Sequence, residues 1–143
     1  MDFDLDDLII KIKSYALDNG FVAVDTYKLN LNSNADTQLP KLFIKVDDVN
    51  IDKFLNGQAE FDYNLDLMVI VPASVEKPTI EILDKARVLL RALFAKDNIF
   101  STVSVKNKIE FSSFQLTDDQ SEYSRYGGAF GAIKINILNT ELI

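Results

Sequence analysis

Two pairs of adjacent carboxylates, Asp47-Asp48 and Asp118-Asp119, are the groups in this chain that come nearest to catalytic chemistry. Acid–base work on a scissile bond needs two carboxyls held on either side of one reacting atom. Neighbours on a strand point to opposite faces, and both pairs fall in segments whose composition predicts loops. Solvated turn carboxylates are therefore the simpler reading. Calcium fares no better, because Asp47–Gly57 does not reproduce the offsets of an EF-hand loop. With no His and no Cys, the chain by itself offers no zinc, haem or thiol chemistry. No catalytic residue, metal site or cofactor is expected.

Gly127-Gly128-Ala129-Phe130-Gly131 is the one glycine-rich stretch. It lacks phosphate-loop spacing and leads into a strand, whereas a phosphate cradle uses a helix N-terminus. It reads as a bend or bulge at the entry to that strand. Tyr123 and Tyr126 flank Arg125, and Tyr and Arg are enriched at interface anchors; an exposed loop explains the trio equally well. Lys11/Lys13 and Lys106/Lys108 come nearest to a phosphate-gripping cluster, and the formal net charge is −7. A protein that grips phosphates clusters Lys and Arg on one face, so nucleic-acid binding is not the expected task.

The elements that position these groups follow from periodicity. Leu5, Leu8, Ile9, Ile12 and Ala16 make an apolar stripe over Asp4–Asn19, with acids in the first turn, Asp7–Lys11 at i,i+4 and Gly20 as the stop. A strand is expected within Phe21–Leu31, a polar loop over Asn30–Gln38, a short strand over Lys41–Val46 and an Asp-rich connector over Asp47–Gln58. Ala59–Val71 then alternates, with Phe61, Tyr63, Leu65, Leu67, Val69 and Val71 on one face and Glu60, Asp62, Asn64 and Asp66 beginning the other. That pattern predicts a half-buried antiparallel strand. Pro78 opens a second amphipathic helix through Ile82, Leu83, Ala86, Leu89, Leu90, Leu93 and Phe94. Strands over Phe100–Val105 and Ile109–Leu116, joined by a tight turn at Lys106-Asn107-Lys108, precede a polar loop and a last strand over Ala129–Leu138.

The sum is a single α+β domain spanning residues 1–143, in the order α-β-β-β-α-β-β-β. An antiparallel or mixed sheet of about five to six strands carries two amphipathic helices packed on one face. At 48% hydrophobic residues the chain has ample material for a core. No apolar run approaches the ~18–20 residues that span a bilayer, so no membrane partner is expected. The acidic start, Met1-Asp2-Phe3-Asp4, is unlike a basic signal-peptide start, and a cytoplasmic site of synthesis is expected. At ~3.3 Å per residue the long strand exceeds roughly 35 Å, more than the helices of a small domain cover. Its first half is expected to project and carry Phe61, Asp62 and Tyr63 to a neighbouring subunit, with Tyr123, Arg125 and Tyr126 as a second candidate contact.

The N-terminal helix, the Leu39-Pro40-Lys41-Leu42-Phe43-Ile44-Lys45-Val46 strand, the long strand ending Leu67-Met68-Val69-Ile70-Val71, the Leu/Arg-rich helix and the closing strand together resemble the tail terminator, or tail completion, proteins of long-tailed bacteriophages. The resemblance is one of element order and hydrophobic pattern. It implies a structural virion protein assembled in the host cytoplasm: a homo-oligomeric, hexameric ring that caps the tail tube and docks to the head-side connector. DNA would pass through such a ring without specific binding, and Asp47, Asp48 and Asp52 are candidates for an acidic channel wall. Two other readings stand beside it: a small-molecule-binding or regulatory α+β domain with a pocket between helices and sheet, and another phage neck or tail component.

Overall fold

The first helix, α1 (Leu5–Asp18), begins where Asp4 caps it: the Asp7 N–H donates to Asp4 Oδ1 at 3.1 Å, satisfying one of the free N–H groups of the first turn. Leu8, Ile9, Ile12 and Ala16 are buried, as their spacing requires. The Lys11–Asp7 pair closes at 3.1 Å, but both side chains are about half exposed and the pair contributes little. The computed structural model describes residues 4–31, 38–93, 107–116 and 126–142, the side chains of 53–55 and 107–116 excepted.

Strand β1 (Ala23–Thr26) is shorter than the expected Phe21–Leu31. Tyr27 ends it by turning into the left-handed region at φ 64, a conformation costly for a bulky side chain. Two bonds hold it there: its N–H donates to the Ile44 carbonyl at 2.9 Å, and its hydroxyl donates to Asp6 Oδ1 at 2.5 Å.

Strand β2 (Lys41–Leu55) and strand β3 (Gln58–Val71) form one long antiparallel hairpin. The expected connector over Asp47–Gln58 is therefore corrected: β2 continues through it, and the turn is only Asn56 (φ 53) and Gly57 (φ 76). Two successive left-handed residues make the two-residue turn whose twist matches its flanking strands, and glycine at the second position takes it without strain. Helix α2 (Pro78–Leu93) buries Ile82, Ala86, Leu89 and Leu93, while Leu83 and Leu90 of its expected face are only partly buried.

Strand β4 (Asn107–Leu116) and strand β5 (Ala129–Leu142) complete the sheet. Asn107 and Lys108 pair with Asn139 and Leu138, so they belong to β4 and not to the expected tight turn. The expected strand Phe100–Val105 lies outside the described residues, as do Phe94, Asp118-Asp119, Tyr123 and Arg125. Gly128 brings the chain against the end of β3: a Cβ there would sit 2.2 Å from the Val71 carbonyl oxygen. The bend expected at this glycine-rich stretch is a close backbone approach.

The fold is α+β, with two helices and a mixed sheet in the order β1-β2-β3-β5-β4. β1 runs parallel to β2, against the expectation that consecutive strands pair antiparallel; the other pairs are antiparallel. Both helices pack on one face, where Ile9, Ile12, Leu42, Ile44, Leu67, Val69, Leu89, Ile133 and Ile135 belong to one buried cluster. The opposite face is not simply polar. Leu39, Phe43, Met68, Ile70 and Ala132 form a second cluster, with Leu29, Tyr126 and Phe130 packed against it. The long strand is thus half-buried only in its first part; Leu65–Val71 is buried on both faces.

Candidate interaction surface

Length sets up the surface. β3 has 14 residues, roughly 45 Å at ~3.3 Å per residue, while α1 and α2, with 14 and 16 residues, reach only about 21 and 24 Å. Burial follows this mismatch. Residues 65–71 of β3 are buried, 60–64 are intermediate, and 47–52 of β2 are exposed. The ends of β2, β3 and β5 around the Asn56-Gly57 turn make an arm that outruns the helices in length: it is exposed along β2, while Ala59, Ile137 and Asn139 on its helix side are buried.

The arm has two unlike faces. On the helix side, Val49 pairs with Tyr63 and Tyr63 with Ile137; one row further out, Ile51 pairs with Phe61 and Phe61 with Asn139. Val49 and Ile51 are 43% and 52% exposed, large values for such side chains. The Phe61 and Tyr63 rings stack with centroids 6.1 Å apart. A polar node fixes this aromatic pair: Tyr63 Oη and Asn139 Nδ2 donate to Glu141 Oε1 at 3.2 and 2.7 Å.

The opposite face has lysines in its inner row and carboxylates and amides in the rows beyond. In the inner row Lys45, Asp66 and Lys134 stand in register, Lys134 Nζ lies 3.0 Å from Asp66 Oδ1, and Lys45 Nζ lies 3.9 Å from Asp47 Oδ1. The rows beyond carry Asp48, Asn64 and Asn136, then Asn50 and Asp62, then Asp52 and Glu60. Side-chain amides separate the carboxylates. Asn64 Nδ2 donates to Asp48 Oδ1 at 2.6 Å, and Asn136 Nδ2 donates to Asp62 Oδ1 and to Asn64 Oδ1, the latter at 2.9 Å. Amide donors between like charges offset the repulsion that directly facing carboxylates would suffer. Among the described residues, no group of three or more carboxylates is placed to hold a metal ion.

Phe61, Asp62 and Tyr63 are thus on the arm, but Asp62 faces away from the two rings. Asp47, Asp48 and Asp52, expected in a loop, lie on β2. Asp48 and Asp52 share the face of Asp62, and Asp47 is the extra residue at the register shift between Val46 and Asp48. Tyr126 is part of the second cluster, its ring 4.3 Å from that of Phe130. Sequence reasoning missed Val49, Ile51, Asn64, Asn136 and Glu141. The signal that would have found the first two is Asn56-Gly57, which marks a hairpin and makes Val49 and Ile51 cross-strand partners of the rings.

Burial, reinforced by the Glu141 carboxylate, pushes the Tyr63 hydroxyl from 10.0 up to about 12. The folded-state value lies above the unfolded one. Its contribution to stability is therefore complete below pH 10 and is lost as pH rises toward 12. Urea unfolding across that interval is expected to show a steeper alkaline loss for the wild type than for Tyr63→Phe. Parallel curves would mean that the hydroxyl does not feel Glu141.

Among the described residues, no helix is long and apolar enough to cross a membrane. Compared with known proteins, the chain matches no family model and no curated protein.

Proposed function

We propose that this protein is a structural subunit that works by assembly: a tail terminator-like ring protein of a long-tailed phage, which caps the tail tube and joins it to the head-side connector. The observation that supports this most directly is the long arm, aromatic and apolar on one face and acidic on the other, with its β2 strand exposed. Patches of this kind are what a subunit presents to a neighbour, and a heterologous contact repeated around an axis closes a ring. Among the described residues, Ile9, Ile12, Leu67, Leu89 and their neighbours form a buried core in the helix–sheet layer, and this favours assembly over the pocket reading.

In such a ring the rings of Phe61 and Tyr63, flanked by Val49 and Ile51, are the subunit contact. Asp48, Asp52 and Asp62 on the other face are the groups available to line a channel. A negative wall keeps DNA from adhering, over about one Debye length, ~8 Å at physiological salt. Because the two faces are separate, they are tested separately. Phe61→Ala combined with Tyr63→Ala is expected to weaken subunit association by more than about 2 kcal/mol, the scale of buried aromatic hot spots. Asp62→Arg is expected to leave rings intact and slow DNA passage. Sedimentation velocity and electron microscopy, with and without isolated tail tubes, read both. Normal rings in the aromatic double variant would overturn the interface. A wild-type protein that associates with no tail component would overturn the function.

A further inference from the structure

The outer edge of β2 changes character halfway along. Over its first residues it is paired with β1, through Ala23–Thr26 against Lys41–Ile44. The Val22 N–H donates to the Pro40 carbonyl and the Tyr27 N–H to that of Ile44. Past Ile44, among the described residues, no strand lies beside β2. The alternation of an antiparallel ladder tells which backbone groups this open stretch presents. Residues 40 and 44 turn their carbonyls outward toward the β1 side, so 41, 43 and 45 bond to β3. The extra residue at Asp47 switches the parity, and beyond it Asp48, Asn50 and Asp52 face β3 while Val49 and Ile51 turn their N–H and C=O groups outward.

We infer that this stretch, Asp48–Asp52, is a docking edge for an extended segment of a partner protein that carries Lys or Arg at alternate positions with β-branched or other apolar residues between them. Backbone pairing to Val49 and Ile51 supplies the hydrogen bonds, as in strand addition to an open sheet edge. The side chains along the edge specify the partner. On one face an added strand lies beside exposed Val49 and Ile51, and on the other beside Asp48 and Asp52. Alternation of apolar and basic residues satisfies both faces at once. The same charges act against a second copy of this edge, which would set carboxylates against carboxylates, and the bulge at Asp47 twists the edge away from flat self-pairing. The inference does not depend on the ring, although the edge shares Val49 and Ile51 with the proposed ring contact and Asp48 and Asp52 with the proposed channel wall.

The test uses the whole protein and a synthetic peptide of alternating Lys and Val, compared with a Glu/Val peptide and with a block-sequence peptide of the same Lys/Val composition. The alternating Lys/Val peptide is expected to bind saturably, more weakly as salt is raised, and to protect the Val49 and Ile51 amides from hydrogen exchange. The variant Ile51→Pro removes only an outward N–H, a change that edge strands tolerate. It is expected to unfold at the wild-type urea concentration and to lose binding by roughly tenfold or more. Asp48→Lys with Asp52→Lys is expected to reverse the preference toward the Glu/Val peptide. Equal binding of the block-sequence peptide would reduce the effect to charge attraction and overturn the docking edge. So would absence of binding, absence of amide protection at Val49 and Ile51, or protection of those amides by raising the protein concentration alone. A large loss of stability in Ile51→Pro would show that its N–H belongs to the β3 ladder, overturning the assigned parity.

Discussion

Replacing Lys41 by Met is expected to destabilise the protein by about 3–5 kcal/mol, the scale of breaking one side of a buried ion pair. Lys41 is wholly buried, an unusual place for an ammonium group. Its Nζ lies 2.8 Å from Asp25 Oδ2 and donates to the Asn30 carbonyl at 2.9 Å; the same Asp25 oxygen accepts the Asn30 N–H at 2.7 Å. These bonds tie the edge strand β1 and the residues after it to the start of β2. A methionine fills the space of the lysine stem but leaves the Asp25 carboxylate, with a side chain only 14% exposed, without its cation. Adding Asp25→Asn to Lys41→Met is expected to recover part of the loss, because the cost comes from the stranded charge and not from a missing packing volume. Urea unfolding of the two single variants and the double variant measures that coupling. A loss below about 1 kcal/mol in Lys41→Met would mean that Asp25 finds water as readily as it found the lysine.

The second large effect lies in the centre of the sheet. Leu67 is fully buried, stands between Ile44 and Ile133 in the ladder, and belongs to the cluster under the two helices. Leu67→Ala removes that side chain from a site held by strands on both sides, where the surroundings relax little. A loss of about 2–5 kcal/mol is expected. Leu90→Ala is the control, because Leu90 packs only against the margin of the cluster and is partly exposed. Its loss is expected to be clearly smaller in the same urea titration. Equal losses would move the centre of the core toward the outer side of α2.

The elements that could be read from the sequence are those whose stabilising contacts are periodic along the chain. Both helices declared themselves through stripes such as Leu8, Ile9, Ile12 and Ala16, and β3 through the alternation of Phe61, Tyr63, Leu65 and Leu67. The second half of β2 did not, because the density of Asp47, Asp48 and Asp52 outweighed Val49 and Ile51. Asn56-Gly57, the stronger signal, sat inside a stretch already assigned to a connector. The run Leu67-Met68-Val69-Ile70-Val71 has no polar residue in it, which marks a strand buried on both faces. The polar start of β3 gives the strand an amphipathic pattern overall, and this masks the second cluster around Met68 and Ile70. The Lys41–Asp25 pair and the parallel pairing of β1 with β2 depend on residues distant in sequence, and no local pattern carries them. Of the candidate surface, the aromatic pair was legible, whereas the division into two faces required the register of β2, set by one extra residue at Asp47.

The two-residue turn at Asn56-Gly57 also bears on the order in which the chain folds. β2 and β3 meet through the shortest connection available, and hairpins of this kind close within about 1–10 μs. The other side of β3 must wait for β5, which begins only at Ala129, beyond α2 and β4 in the chain. Loop closure over that distance makes the pairing slow. Until it occurs, the hairpin presents the Leu65–Val71 edge, apolar on both faces except at Asp66, to any other strand in solution. Refolding is therefore expected to be sensitive to protein concentration during this interval and insensitive to it afterwards, when β5 occupies the edge and shields it.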